Sequence, residues 1–162
     1  MSSRIGQGFD VHAFSADADR ALVLGGVRLE GAPGLAGHSD ADVVAHALAD
    51  ALLGAAGLGD LGSHFPSSDP AWAGADSIHL LAEVVARVAA AGYRPANADC
   101  TVVAETPRLA PHTATMAQRL AAVVGAPVSV KATSTDGLGS IGRGEGIAAL
   151  AVVLVESIEG PA

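Results

Sequence analysis

The sequence predicts an α+β fold with a ferredoxin-like core, in which a mixed sheet carries helices on one face. Strand-like and helix-like hydrophobic patterns follow one another in the order β-(β)-α-α-β-α-β-β. The 20 glycines and 8 prolines are spread among these segments instead of forming a low-complexity tract. The last segment, residues 147–158, is apolar on both faces, which indicates that one face meets helices and the other a neighbouring subunit.

The strands are predicted where short apolar runs end at glycine, proline or polar residues. Residues 21–24 stop at Gly25-Gly26, and a short run after these glycines is its hairpin partner. Residues 128–132 follow Pro127 and lead into a glycine-rich stretch. The predicted strands are 4–10, 21–24, 27–29, 101–104, 128–132 and 147–158.

Three helices are predicted from apolar residues repeating at helical spacing. Ser39 is the expected N-cap of the first helix, which runs to about residue 53. Asp76 and Ser77 begin the second, which continues to about residue 91 and ends at Gly92. The third spans residues 112–124.

Length and charge limit the classes of function. A chain of 162 residues predicts one domain, 1–162, and the net charge of −8 argues against nucleic acid or an anionic membrane as a partner. The single cysteine, Cys100, cannot form an intramolecular disulfide. There is no apolar stretch of signal-peptide length at the N-terminus, and no run long enough to span a bilayer. We therefore expect a soluble cytoplasmic protein.

Asp10 and His12 lie two residues apart on the first strand, so their side chains leave the same face. His46 lies on the first helix, with Asp42 and Asp50 four residues to either side. One interpretation is a solvated strand end and a solvated helix face. The favoured one is a zinc site of Asp10, His12 and His46 with an open fourth position, in which Asp42 or Asp50 orients His46.

Two further segments carry many polar groups. Residues 59–70 are either an ordinary loop or one wall of a ligand site. Residues 133–146 combine glycines, hydroxyls, Asp136 and Arg143, a composition suited to holding phosphate through loop amides and side chains. This segment lacks the Gly-Lys-Ser/Thr ending of a Walker loop, and its alternative interpretation is a flexible connection.

These motifs, in this order, resemble the 2-C-methyl-D-erythritol 2,4-cyclodiphosphate synthase family over about residues 4–157. The resemblance is carried by Gly8-Phe9-Asp10-Val11-His12, His38-Ser39-Asp40-Ala41-Asp42, His46-Ala47-Leu48-Ala49-Asp50-Ala51-Leu52-Leu53-Gly54, Leu58-Gly59-Asp60-Leu61-Gly62, Lys131-Ala132-Thr133 and Gly142-Arg143-Gly144-Glu145-Gly146.

The resemblance implies a metal-dependent phosphorus–oxygen lyase of the non-mevalonate isoprenoid pathway. Such an enzyme cyclises 4-diphosphocytidyl-2-C-methyl-D-erythritol 2-phosphate and releases CMP. It further implies a homotrimer with active sites between neighbouring subunits. An isoprenoid-like ligand in a cavity on the threefold axis is a further implication of the same resemblance.

The resemblance also implies roles for individual residues. Asp10, His12 and His46 would bind zinc, and Asp136 a second divalent ion, Mg²⁺ or Mn²⁺. His38 and Ser134 would stabilise the transition state. The other substrate-binding residues would be Val11, Ser39, Asp60, Leu61, Gly62, Phe65, Pro66, Ser67, Ser68, Asp69, Ala104, Glu105, Thr106, Pro107, Arg108, Leu109, Ala110, Thr133, Thr135 and Arg143, together with Asp10, His12 and Asp136.

The chain departs from the family pattern at three positions. Ser67 stands where the family often has Asp, Asp136 where it has Glu, and Ser140 where Phe is common. Two other classes of function use the same residues. A zinc phosphohydrolase would activate water at the Asp-His-His site, whereas a non-catalytic trimeric binding protein would hold zinc or a ligand without turnover.

Overall fold

Six strands form two sheets in the computed structural model, which describes residues 2–158. The four-stranded sheet has the spatial order β1-β6-β4-β5, in which β6 is antiparallel to both neighbours and β4 is parallel to β5. The other sheet is the predicted hairpin of β2 and β3. The strands are β1 (Ser3–Ala13), β2 (Leu22–Leu24), β3 (Val27–Leu29), β4 (Tyr93–Val103), β5 (Val128–Thr133) and β6 (Gly146–Ser157).

The three predicted long helices are confirmed, and they pack against the four-stranded sheet. Two four-residue helices and a 3₁₀ turn lie in segments expected to be irregular loop. The helices are α1 (Val43–Ala56), α2 (Leu61–His64), α3 (Ser77–Ala90), α4 (Thr113–Val124) and α5 (Gly139–Gly142), and the 3₁₀ turn is Pro70–Trp72.

The mixed α+β sheet is confirmed, but the ferredoxin-like core is wrong in its connectivity. That core runs β-α-β-β-α-β. Here the chain of the main sheet runs β1-α1-α3-β4-α4-β5-β6, so a helix separates the second and third strands. The α4 crossover makes β4 and β5 parallel neighbours, as a helical connection does. The hydrophobic pattern predicted the order of the elements but not the pairing of the strands.

Two predicted boundaries also change. The N-cap of α1 is Asp42 instead of Ser39, because the buried Asp42 carboxylate accepts the amides of Val44 and Ala45. The same carboxylate accepts the amides of Gly25 and Gly26 at 2.8 and 2.7 Å, which ties the β2–β3 turn to the helix. β4 begins at Tyr93 instead of residue 101, since its first half is polar and contains a proline that masks the strand pattern.

Helix α1 packs unusually close to β1 because β1 has glycine where the two elements touch. A Cβ on Gly6 would lie 1.9 Å from the carbonyl oxygen of Ala51, and one on Gly8 would lie 1.8 Å from that of Ala47. Gly6, Gly8, Asp10 and His12 alternate along one face of β1. The glycines thus bring the helix down onto the face that carries the two polar side chains.

The opposite face of the sheet is open in the single chain. The odd-numbered side chains of β6 from Ile147 to Val155 are buried, whereas Val152 is 48% exposed. On β1, Ile5, Phe9 and Val11 are 73%, 56% and 48% exposed. The final strand is therefore apolar on both faces, as predicted, and the helices cover only one of them.

Replacing Gly8 by Ala should lower the free energy of unfolding by about 3 kcal/mol or more, because the added methyl meets backbone atoms of α1 that cannot rotate away. The matched control is Gly54→Ala, in which the nearest atom to the added Cβ is 3.9 Å away and the site is exposed. Urea unfolding at equal protein concentration measures both. Equal midpoints for the two variants would contradict the close contact.

Candidate metal centre

Asp10, His12 and His46 come together at the junction of β1 and α1, as predicted. Asp10 Oδ2 lies 3.2 Å from His12 Nε2 and 3.0 Å from His46 Nδ1. The nearest donor atoms of the three residues all lie within 4.8 Å of one another, and the side chains are 12–26% exposed. Within residues 2–158, no other three His, Cys, Asp or Glu side chains converge in this way.

The two histidines change the acid–base behaviour of the carboxylate. Burial alone would raise the pKa of Asp10, but the hydrogen bonds and charges of His12 and His46 outweigh it and hold that pKa well below its usual range. The pKa of His12 is raised, chiefly by the hydrogen bond to Asp10 and against the effect of burial. The carboxylate is therefore available as an anionic ligand.

Each histidine is also held on its other side. His12 Nδ1 donates to the carbonyl oxygen of Ala36 at 2.5 Å, which leaves Nε2 free to act as a ligand. His46 Nε2 lies 2.8 Å from Ser77 Oγ and 3.2 Å from Ser39 Oγ.

The prediction that Asp42 or Asp50 orients His46 is wrong. Asp42 turns back to cap its own helix, and Asp50 accepts the amide of Leu61 at 2.7 Å. Serines from outside the helix take the place expected for these carboxylates.

The donor set fits zinc. Two imidazole nitrogens and one carboxylate oxygen are the ligands of many catalytic zinc sites, which keep a fourth position open. Ligands at about 2.0–2.1 Å from a tetrahedral ion are separated by about 3.3 Å, close to the 3.0 and 3.2 Å between Asp10 and the histidines. Other divalent metals that accept nitrogen and oxygen ligands bind to donor sets of the same kind.

A cavity of about 300 Å³ opens beside the cluster. Part of its lining was predicted from the sequence. The predicted metal ligand His46 also lines it, together with two residues that were not predicted, Trp72 of the 3₁₀ turn and Leu80 of α3. The predicted residues that line it are His12, His38, Ser39, Leu61, Gly62, Phe65 and Ser67.

Aromatic and cation–π contacts hold residues 59–70, which form one wall of this cavity, in place. Phe65 meets Trp72 edge to face, with ring centroids 4.9 Å apart. The Arg87 guanidinium lies 4.9 Å above the Phe65 ring and contacts His64 Nδ1. Arg20 donates to carbonyl oxygens of residues 35, 37 and 39, in the segment that carries His38 and Ser39. Arg20 and Arg87 were not predicted, because nothing in their local sequence marks these contacts.

A second cavity, of about 320 Å³, reaches Asp10 and His46 from the other side. The carboxylates of Asp50 and Asp60 line it, together with Leu61 and Gly62. Asp60 also caps α2, and the amide of Ser63 lowers the pKa of Asp60. This cavity and the first share His46 of α1 and Leu61 and Gly62 of α2, so these residues lie between them.

The residues expected near cytidine and diphosphate lie elsewhere on the chain. They line a separate cavity of about 270 Å³, which contains Ser134 but neither His38 nor the cluster. Glu105 holds this region together by accepting the amides of Thr135 and Gly137, which lowers its pKa. The lining includes Ala104, Glu105, Pro107, Arg108, Leu109, Ala110, Thr133 and Ser134.

The remaining predicted residues are scattered. The Val11 side chain faces the open side of the sheet, away from the cluster. Asp136, in a left-handed conformation with φ 53°, is exposed and accepts from Ser134 Oγ at 3.0 Å. Arg143 pairs with Glu145 at the surface. The other placements are Pro66 and Ser68 exposed on the loop, Asp69 capping the 3₁₀ turn, and Thr106 beside Pro107.

No reactive cysteine competes with this centre. Cys100 is fully buried in β4, and burial raises the pKa of its thiol to about 12. Within residues 2–158, no helix has the length and hydrophobicity needed to cross a membrane.

Comparison with known proteins decides the family. The YgbB family model matches residues 3–156, the span that carries the cluster and all three cavities. The chain belongs to this family. Its relatives include the 2-C-methyl-D-erythritol 2,4-cyclodiphosphate synthase of Symbiobacterium thermophilum, which is 56% identical over 93% of this chain and 97% of the relative. That of Moorella thermoacetica is 59% identical over 94% of each.

A solved structure agrees. IspF is the abbreviated name of this synthase. The fold matches the solved structure of IspF from Plasmodium falciparum in complex with CDP. The TM-score is 0.83 and the identity 28%, over 98% of each chain. The family resemblance drawn from the motifs is confirmed, and with it the non-mevalonate cyclodiphosphate synthase activity.

Proposed function

We propose that the chain cyclises 4-diphosphocytidyl-2-C-methyl-D-erythritol 2-phosphate at a zinc centre held by Asp10, His12 and His46. The observation that carries this proposal is the convergence of three donor atoms within 4.8 Å beside a cavity in a member of the synthase family. A zinc ion bound there would neutralise phosphate charge and polarise the phosphorus centre under attack.

The chain's own groups would hold the substrate. Two phosphates of one molecule must meet, and their mutual repulsion is the main obstacle to reaction. His38 and Ser39 lie in the cavity beside the cluster, where they can donate to phosphate oxygens. Asp50 and Asp60 in the second cavity are suited to accept hydrogen bonds from hydroxyl groups of the methylerythritol. Holding both ends of one molecule makes the attack unimolecular.

We further propose that a homotrimer completes the active site. In one chain, Ser134 and His38 line separate cavities, although both are expected to act on the same phosphates. A neighbouring subunit that brings its 104–110 and 133–136 segments to the cluster would unite them. The open apolar face of β1 and β6 is a suitable surface for such an assembly.

We also propose roles for the segments outside the zinc centre. Asp136 would hold the second divalent ion, Mg²⁺ or Mn²⁺, next to the substrate diphosphate, and Thr106, Arg108 and Thr135 would contact the cytidine end. Arg143 would contact the substrate, and an isoprenoid-like ligand would bind in the cavity on the threefold axis that Ser140 is expected to line. Residues 1–162 would act as one domain in the cytoplasm. The CDP complex of the Plasmodium relative supports a cytidine nucleotide as ligand.

Purified protein should contain about one zinc per chain, and His46→Ala should lose most of it, because only two of the three ligands remain. His79→Ala removes an exposed histidine of α3 and is the matched control. Elemental analysis measures the metal, and circular dichroism checks the fold. Full zinc occupancy in His46→Ala would refute the assignment.

The reaction should be a cyclisation and not a hydrolysis. With the cytidine diphosphate substrate in ¹⁸O-labelled water, CMP and the cyclic diphosphate should both form without label, because the attacking oxygen comes from the substrate's own 2-phosphate. A substrate analogue lacking that phosphate should release CMP very slowly. Mass spectrometry reads the label, and label in CMP or in the methylerythritol product, or rapid release from the analogue, would favour the zinc phosphohydrolase. No turnover at all would favour a binding protein.

Val152→Asp should dissociate the trimer, because it places a charge on the open apolar face. Val153 would be a poor choice for this test, since its side chain is buried under the helices. Ala86→Asp on the exposed side of α3 adds the same charge elsewhere and should leave the assembly intact. Sedimentation velocity should give about three times 15.9 kDa for the wild type. A monomeric wild type would exclude the shared active site.

A further inference from the structure

A hydrogen-bonded chain backs His46 on the side away from Asp10. His46 Nε2 lies 2.8 Å from Ser77 Oγ, and Ser77 Oγ contacts Asp40 Oδ1. The Ser77 amide also donates to Asp40 Oδ2 at 3.1 Å. Ser77 is 1% exposed and does not line the cavity beside the cluster. Any effect of this serine on the centre must therefore pass through His46.

The chemistry of these groups decides where the protons lie. An ionised carboxylate only accepts hydrogen bonds, so the hydroxyl proton of Ser77 goes to Asp40. The oxygen of Ser77 then has only lone pairs to offer His46, and His46 Nε2 must carry a hydrogen and donate it. In the neutral imidazole of a metal-bound state this leaves the lone pair on Nδ1, the atom that lies 3.0 Å from Asp10, so that Nδ1 and the carboxylate would both face the ion.

Ser39 is the other hydroxyl near His46, but its situation differs. Its Oγ is 3.2 Å from His46 Nε2 and accepts the amide of Ala41 at the same distance. Among residues 2–158, no carboxylate receives its proton. Ser39 also lines the cavity, whereas Ser77 does not. The shorter contact and the anchored proton both single out Ser77.

We propose that Ser77, anchored by Asp40, is a positioning residue of the metal centre. It fixes the tautomer and ring orientation of His46, so that Nδ1 faces the ion. This inference rests on the proposed zinc site and adds a requirement to it. Residues that hold the far nitrogen of a metal-bound histidine typically change metal affinity when they are removed.

The test compares zinc affinities, measured by competition with a chromophoric chelator. Ser77→Ala should weaken zinc binding roughly 10- to 100-fold. Asp76→Ala is the structural control, because it removes the N-cap of the same helix without contacting His46. This control should lower thermal stability but keep zinc affinity within about threefold of the wild type. Ser39→Ala should weaken zinc binding less than Ser77→Ala, because its contact with His46 is longer and its proton is not held by a carboxylate.

A spectroscopic measurement separates orientation from stability. In the zinc-loaded wild type, ¹⁵N-edited NMR should show a slowly exchanging His46 Hε2 proton, because it is donated to a buried oxygen. This proton should exchange rapidly in Ser77→Ala and remain protected in Asp76→Ala.

The outcomes are distinct for the two proposals. A wild type that binds no zinc refutes the metal centre, and the role of Ser77 with it. If the wild type binds zinc, then unchanged affinity in Ser77→Ala refutes the role of Ser77 alone. Equal weakening in Asp76→Ala or Ser39→Ala does the same. Selective weakening in Ser77→Ala, with loss of the protected proton, establishes it.

Discussion

The close contact between β1 and α1 is the constraint on which the rest of the structure depends. Because Gly6 and Gly8 have no side chains, the helix backbone lies against the strand where any Cβ would collide with it. Farther along the same face of the strand, Asp10 and His12 replace the glycines, and His46 of the helix lies opposite them. The short distance between β1 and α1 allows the two elements to pack, and it also brings the donor atoms of the three residues together.

Charged side chains hold the segments around this contact in place through hydrogen bonds to the backbone. The buried Asp42 joins the start of α1 to the β2–β3 turn through amide hydrogen bonds. Asp40 joins the preceding turn to the start of α3, and Arg20 binds the carbonyls of the same turn from outside. Charged side chains thus satisfy backbone groups of an irregular segment, which allows that segment to lie partly buried beside the centre.

A feature could be predicted from the sequence when the residues that determine it lie close together in the chain. Period-two spacing placed Asp10 and His12 together, and the helical pattern placed His46 on α1, so the cluster was accessible from local sequence. The family resemblance supplied expectations for the more distant segments. The pairing of β4 with β5, and Ser77 as the partner of His46, depend on contacts between residues far apart in sequence. The prediction that Asp42 orients His46 was wrong because an aspartate at helical spacing from a histidine can equally cap the helix.

The alternation of side chains along β1 has a consequence for how this protein can change. Asp10 and His12 point toward the helix, while Phe9 and Val11 point toward the uncovered face of the sheet. A slip of one residue in the pairing of β1 with β6 would exchange the two sets and present carboxylate and imidazole where apolar side chains are now. The even-numbered positions of β1 therefore serve the metal cluster and the odd-numbered positions serve the open face of the sheet. A substitution can change one face without changing the other, but an insertion or deletion within the strand would alter both faces at once.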